Sequence, residues 1–412
     1  KDLQKRDRID LIKKIDVVKE LDVLWRESLQ NVEQLRKRRN TLSKEVAELK
    51  KAGKDASEKL RLVKSVPTEI KTEEENTEKI YEKIKKIMYE IPNILHDSVP
   101  VGADDTQNVT HKEWGTKPKP DFKIQSHVDL LDKFDLADTK KASDIAGSRF
   151  YYLKNDLVML DYALIKYAMD FLHNKGFILT EPPLMMRRSS YESMVSMDDF
   201  EEVMYKIEDE DLYLIATSEH PIGAYHMNET LNGKNLPLKY AGVSPCFRKE
   251  VGSHGKDTKG IFRVHNFNKI EQFVFCREDQ SWEIHEKLLK NSEELFQSLE
   301  LPYRVVNVCT GDMGGIAAKK YDIEVWMPAQ EKYREVVSCS NCTDYQARRL
   351  NTKYEFEGHR KVAHTLNCTA IATSRAMVAI MENYQNKDGS FNIPKVLLPY
   401  MNEIKVIGKK KE

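Results

Sequence analysis

The chain carries no surplus charge, no apolar run of membrane-spanning length and no glycine-rich phosphate loop. Its 66 lysines and arginines are matched by 66 aspartates and glutamates, so the formal net charge is zero. A polyanionic partner must then be met by basic residues concentrated locally, because global charge will not attract it. No apolar stretch approaches the roughly 20 residues that a bilayer demands, and no secretory leader is visible, so the expected compartment is the cytoplasm and no membrane partner is expected. Neither Gly-x-x-x-x-Gly-Lys nor Gly-x-Gly-x-x-Gly after a strand occurs, which excludes the familiar phosphate cradles. Cysteine is scarce: Cys246, Cys276, Cys309, Cys339, Cys342 and Cys368 all fall in the C-terminal half, in apolar or motif-like surroundings. That pattern fits reduced thiols better than a disulfide framework. Cys339 and Cys342 make one Cys-x-x-Cys pair; without a second pair it is not expected to be a structural zinc site. No internal repeat or low-complexity tract is evident. The chain opens at Lys1 instead of Met, and a short preceding segment is expected.

With 412 residues the chain has room for two or three domains. The first hundred residues differ in texture from the rest. Val18, Leu21, Trp25, Val32, Leu35, Leu42, Val46 and Leu49 alternate at spacings of three and four, with Ser28 and Arg39 as breaks. A polar turn with Gly53 follows, then a second run through Val63, Val66, Ile70, Ile80, Ile84, Ile87 and Ile91, with Glu73 and Thr77 on its seam. Two such helices joined by a short turn must pack antiparallel as a coiled-coil arm, in which Pro67 should kink or interrupt the second. About 35 residues reach roughly 50 Å. Periodicity alone favours a dimerisation coiled coil; the exposed cluster Arg36-Lys37-Arg38-Arg39 tilts the reading toward a rod that meets a phosphate backbone. Residues 1–92 are read as this arm, 93–125 as a linker marked by Pro100, Pro118 and Pro120, and 126–412 as the main body. There an amphipathic helix, Leu157 to Lys175, and strands at Phe267 to Cys276, Tyr303 to Cys309 and Tyr321 to Trp326 suggest an antiparallel sheet flanked by helices, an α+β fold.

Two arginine-centred segments carry the chemistry. The first is Phe247-Arg248-Lys249-Glu250, a polar loop rich in glycine, and Arg263-Val264-His265-Asn266-Phe267; the second is Asn367 to Arg375, which runs on into an apolar-periodic helix. Two fixed guanidiniums can hold phosphate oxygens and neutralise charge developing on them. An aromatic ring can lie under a purine, and acidic side chains can hold Mg²⁺. In order and type these segments resemble motifs 2 and 3 of class II aminoacyl-tRNA synthetases. Gly176-Phe177-Ile178-Leu179-Thr180-Glu181-Pro182-Pro183, after an amphipathic helix, is similar to motif 1. Thr217-Ser218-Glu219, Glu335-Val336-Val337-Ser338 and the helical hairpin resemble the seryl-tRNA synthetases within that class, of archaeal and eukaryotic type.

The resemblance implies activation of L-serine with ATP to seryl adenylate and transfer to the 3′ end of tRNA(Ser); a catalytically inactive RNA-binding paralogue is the alternative. It implies that Arg248 contacts the α-phosphate and the serine carboxylate, and that Arg375 lies near the γ-phosphate and adenine face, opposite Phe267. Lys249, Glu250 and Val264 complete the ATP site with Glu335, Val336, Val337 and Ser338, of which Glu335 and Ser338 would hold Mg²⁺. Thr217 and Glu219 would take the ammonium and Glu271 the hydroxyl; Asn367 or Thr369 closes the pocket. The arm cluster, with His254, Lys256 and Lys259 of the loop, would meet tRNA, and the motif 1 segment would form a homodimer. His220, His265 and His364 are expected to serve in packing and hydrogen bonding.

Overall fold

The computed structural model describes residues 1–195, 203–250 and 259–409. They form two compact units, Lys1–Pro92 and Asn93–Glu412.

The first unit is built on α1 (Ile12–Lys51) and α2 (Ser57–Glu90). Gly53, at φ +62°, ends α1: its N–H bonds the carbonyl of Lys50, and that of Lys54 bonds Leu49, which satisfies two orphan carbonyls. The cross-pairs Lys14–Glu90, Arg36–Glu74, Arg38–Glu69 and Lys59–Glu45 run in opposite order, so the helices are antiparallel. The expected seam is buried or half-buried along its length, with Val32, Val46, Val66 and Ile70 deepest. Its breaks answer one another. The Ser28 hydroxyl lies 2.7 Å from both the Glu73 carboxylate and the Thr77 hydroxyl, so polar groups that interrupt each heptad pattern pair across the interface. Pro67 does not interrupt α2, which runs through it. The position is exposed, so the carbonyl that proline cannot serve is open to water.

In the second unit an eight-stranded sheet takes β1 (Val109–Trp114), β2 (Ile178–Thr180), β3 (Leu238–Phe247), β4 (Asn266–Cys276), β5 (Tyr303–Asn307), β6 (Lys319–Met327), β7 (Lys332–Thr343) and β8 (His364–Ala372). Their order across the sheet is β1-β5-β6-β7-β8-β4-β3-β2, with all pairs antiparallel except β2 on β3. The proline-marked stretch 93–125 thus lies in the second unit and supplies an edge strand. Helix α3 (Asp156–Asn174) and helix α5 (Thr373–Asn383) pack together and against β4, while α4 (Ser281–Ser298) lies along β7 and β8. The apolar stripe of α4, including Leu288, Leu289, Leu295 and Phe296, is buried in the core.

Strand alternation divides this sheet chemically. Along β4, Asn268 bonds Asp161 of α3 and Gln272 bonds the Leu288 carbonyl of α4, so these residues face the helices. Phe267, Lys269 and Glu271 point to the other face and line a cavity there. Replacing Thr77 with Val leaves the Ser28 hydroxyl short of a partner; the expected cost is about 1–2 kcal/mol. A double-mutant cycle with Ser28→Ala, followed by thermal unfolding, should show coupling between the two positions, and additive losses would contradict the pairing.

Candidate functional site

The cavity on the polar face has a volume of about 390 Å³. Glu271 of β4 sits opposite Gly242 of β3 and Thr369 of β8. The glycine is required: a Cβ on Gly242 would lie 2.4 Å from the Ser218 hydroxyl. Its absence lets the segment Thr217–Ile222 lie flush on the sheet, where the Thr217 hydroxyl accepts the Glu219 N–H at 3.2 Å and sets the Glu219 side chain toward the cavity.

One pole of the cavity is acidic. The Glu219 carboxylate accepts from the Gln346 amide at 3.1 Å and the Asn367 amide at 3.0 Å. Burial, then the nearby Glu271 charge, push its pKa up to about 7, against the opposing pull of Lys269. Glu271 is ion-paired with Lys269 and accepts from the Thr369 hydroxyl at 3.1 Å. Asn367 and Thr369 therefore each hold one of the two carboxylates.

The other pole is cationic. Arg248 donates to the Ala216 carbonyl at 3.3 Å and lies over the Phe267 ring, 5.3 Å from its centroid. Arg375, from the first turn of α5, donates to the Glu335 carbonyl at 2.9 Å and lies 3.6 Å from the Glu335 carboxylate. Crowding by protein opposes charge on Glu335, but Arg375, then Lys320, Arg248 and Arg263, outweigh it and hold the pKa below the ordinary value. Ser338 lies opposite Asp322 of β6, whose buried Oδ1 has no protein partner among the described residues. Glu335 and Ser338 both line the cavity and offer hard oxygen donors of the kind that Mg²⁺ takes. The described residues include no group of three or more His, Cys, Asp or Glu that could hold a metal ion by itself.

Arg248, Arg375, Thr217, Glu219, Glu271, Asn367, Thr369, Phe267, Glu335, Val336 and Ser338 thus line one cavity. Four of the expected nucleotide contacts do not. Val264 and Val337 turn into the apolar core. Glu250 pairs with Arg263 at 3.2 Å while its carbonyl accepts from Arg149, and Lys249 bonds Val203 through its backbone. His254 and Lys256 lie outside the described residues, and Lys259 is exposed. Arg36, Lys37, Arg38 and Arg39 are exposed on α1; Arg36 and Arg38 reach Glu74 and Glu69 of α2. The three histidines bond Tyr191 (His220), the Arg248 carbonyl (His265) and Ser281 (His364). Cys342 lines the cavity while Cys339 is packed in the core beside His285, so this Cys-x-x-Cys pair does not converge on one ion. Sequence reasoning missed Lys269, Lys320 and Gln346. Lys269 was findable, since residues two apart on a strand share a face with Glu271; Gln346 comes from the short helix Tyr345–Leu350 and carries no local signal.

Residues 1–95 match the family model of the seryl-tRNA synthetase N-terminal domain, and residues 204–384 match the tRNA synthetase class II core domain (G, H, P, S and T). The chain is 54% identical over 406 residues to a serine–tRNA ligase of Methanospirillum hungatei, a match covering 98% of this chain and 95% of that protein. The crystal structure of seryl-tRNA synthetase from Pyrococcus horikoshii complexed with ATP matches with a TM-score of 0.90 at 50% identity, covering 98% of this chain and 96% of that one. The cytoplasmic serine–tRNA ligase of Naegleria fowleri in complex with AMP matches with a TM-score of 0.85 at 36% identity, covering 100% and 95%.

Because the Glu219 pKa is raised from 4.5 to about 7, the folded chain binds a proton there that the unfolded chain has released. This contribution is fully present below 4.5 and is lost as pH rises through about 7. The stability of the unmodified chain relative to Glu219→Gln should therefore fall across that window. Calorimetric unfolding of both proteins over the range tests it, and a pH-independent difference would rule it out.

Proposed function

The chain belongs to the seryl-tRNA synthetase family, and from that premise we propose that this cavity is its active site. The protein is a serine–tRNA ligase. It activates L-serine with ATP to seryl adenylate and transfers the seryl group to the 3′ end of tRNA(Ser). The observation that carries the site assignment is the union, in one cavity, of an acidic pole built on Glu219 and Glu271 with an arginine pole built on Arg248 and Arg375.

In the first step a serine carboxylate oxygen bonds the α-phosphorus of ATP while the bond to the β-phosphate oxygen breaks, releasing diphosphate. The protein's task is to bring two anions together and neutralise the charge that builds at phosphorus. Arg248 contacts both the serine carboxylate and the α-phosphate, its guanidinium held by the Ala216 carbonyl and stacked on Phe267. Adenine lies against Phe267, and Arg375 meets the γ-phosphate. Glu250 reaches the adenine end; Lys249, Val264 and Val337 contribute through their backbones. Glu335 and Ser338 hold Mg²⁺, which when bound offsets phosphate charge. Glu219 takes the serine ammonium, with Thr217 beside it, and Glu271 accepts the hydroxyl. In the second step the terminal ribose hydroxyl attacks the adenylate carbonyl, AMP leaves, and its phosphate takes the proton. The intact set Arg248, Glu250, Glu335 and Arg375 argues against an inactive RNA-binding paralogue.

The basic cluster Arg36 to Arg39 on the rod meets the tRNA backbone, and loop residues His254, Lys256 and Lys259 meet its acceptor end. The protein is a cytoplasmic homodimer in this reading. Support for the dimer comes from the sheet-edge strand β2, where Ile178 is 52% exposed, and from the neighbouring exposed Leu184 and Met185. No helix among the described residues is long and apolar enough to cross a membrane.

Amino-acid-dependent ATP–diphosphate exchange, run with each of the twenty amino acids separately, tests the activity. Exchange is expected with serine alone, and Arg248→Ala should lower it on the order of a thousandfold. No exchange from folded protein would reject the catalytic reading. Deleting residues 18–91 should leave a dimer that forms adenylate and charges tRNA poorly; a monomeric product in sedimentation would move the dimer contact to the arm.

A further inference from the structure

We infer that Lys269 is a positioning residue that sets which amino acids the cavity activates, by fixing Glu271 in one orientation. The inference rests on the serine-activating reading above and adds a specificity device to it.

Lys269 and Glu271 are two residues apart on β4 and share its cavity face. Both are almost fully buried, at 6% and 1% exposure. The Lys269 ammonium is ion-paired with Oε2 of Glu271, and the Thr369 hydroxyl donates to the same oxygen at 3.1 Å. Among the described residues, Oε1 of Glu271 receives no hydrogen bond. One oxygen is thus saturated from both sides while the other is left for a ligand. Among the described residues neither Lys269 nor Glu271 has an opposite charge as close as the other, and removing one member of a buried pair strands its partner.

The arrangement has a direct consequence for substrate choice. Serine can donate its hydroxyl to Oε1 while its ammonium sits on Glu219. Alanine and glycine leave that buried acceptor unmet, which is penalised far more than the loss of a surface bond. Without Lys269 the Glu271 carboxylate loses its countercharge and its anchor. It can then turn, and as an uncompensated anion it competes with Glu219 for the substrate ammonium. The hydroxyl is no longer the sole way to satisfy it, so serine loses its advantage over alanine.

The test is ATP–diphosphate exchange by Lys269→Met with serine and with alanine, each at varied ATP. The serine KM should rise about tenfold or more and the serine-over-alanine preference should fall by about 10–100-fold. The KM for ATP should change less than about threefold, and Lys269→Arg, which keeps the charge with another geometry, should give an intermediate preference. Lys269→Met in a Glu271→Gln background should add little, because the residue acts through Glu271. An unchanged preference, equal loss toward ATP and serine, or additive effects in that background would each overturn the inference. If Lys269→Met does not fold, Lys269→Arg decides alone, and the full wild-type preference in that variant overturns it. Absence of serine exchange by the unmodified protein would instead refute the underlying activity, so the two failures are distinguishable.

Discussion

The pairing of β4 with β8 is the constraint from which the cavity follows. That register sets Glu271 beside Thr369 and Phe273 beside Asn367, and strand alternation does the rest. The side chains that point away, among them Ile270, Val274, Cys368 and Ala370, meet α3, α4 and α5 and build the apolar core. On the opposite face Lys269, Glu271, Asn367 and Thr369 are charged or hydrogen-bonding, and the ammonium-bearing and carboxylate-bearing side chains among them would be intolerable in that core. A slip of one residue would exchange the two sets, placing Lys269 and Glu271 against the helices and opening the core to water. The burial of one face therefore fixes the chemistry of the other, and the helices are as much a part of the site as the arginines.

Charges set this close together must satisfy one another, the Lys269–Glu271 pair most of all because it is buried. Glu271 meets Lys269, Glu219 meets two amides, and Arg375 meets Glu335. The balance remains uneven, and the unevenness is functional. Among the described residues Glu219 has no cation as close as Lys269 is to Glu271, and burial lifts its pKa to about 7. In the proposed reading a ligand ammonium supplies the missing countercharge. At the opposite pole Arg248 leans on a carbonyl and an aromatic face, neither of which neutralises it, so it is oriented but not spent. Dipoles and charges set before the ligand arrives need no reorganisation during reaction, and that is where such sites gain most of their rate.

Much of this was legible in the sequence, for reasons that differ between elements. The arginines were readable because their segments are contiguous and chemically unusual; the arm was readable because a heptad pattern persists for several turns. Lys249, Glu250, Val264 and Val337 were read as nucleotide contacts from their place in a motif; alternation along β7 turns the Val337 side chain into the core, Val264 packs there from the segment before β4, and Glu250 engages Arg263, so the valines keep their backbones to offer a nucleotide. A motif records positions and does not record which face each one takes. Pro67 was expected to kink or interrupt α2, yet the helix continues through it, at an exposed position where water can serve the carbonyl left without a donor. The strand Val109–Trp114 was hidden because its six residues are all exposed at a sheet edge and show no apolar alternation. Gln346 reaches Glu219 from 127 residues away, a contact that only the fold creates.

The arm shows why a broken pattern can be more informative than a perfect one. Ser28, Glu73 and Thr77 weaken the apolar seam, but they satisfy one another only in the observed register. A shift by one heptad would set Ser28 against an apolar neighbour and leave buried hydroxyls unmatched, so the polar layer selects a single alignment at some expense in stability. Alignment decides which acids face the basic cluster. In the observed register Glu69 and Glu74 reach Arg38 and Arg36, at pairs half exposed to solvent. Such pairs are weak and screened by salt, so a phosphate backbone can displace them at small cost. A neutral chain can in this way keep a cationic stripe that is quiet in isolation and available to RNA. The interaction should weaken steeply with salt, because released counterions, and not the exchanged ion pairs, supply most of the gain.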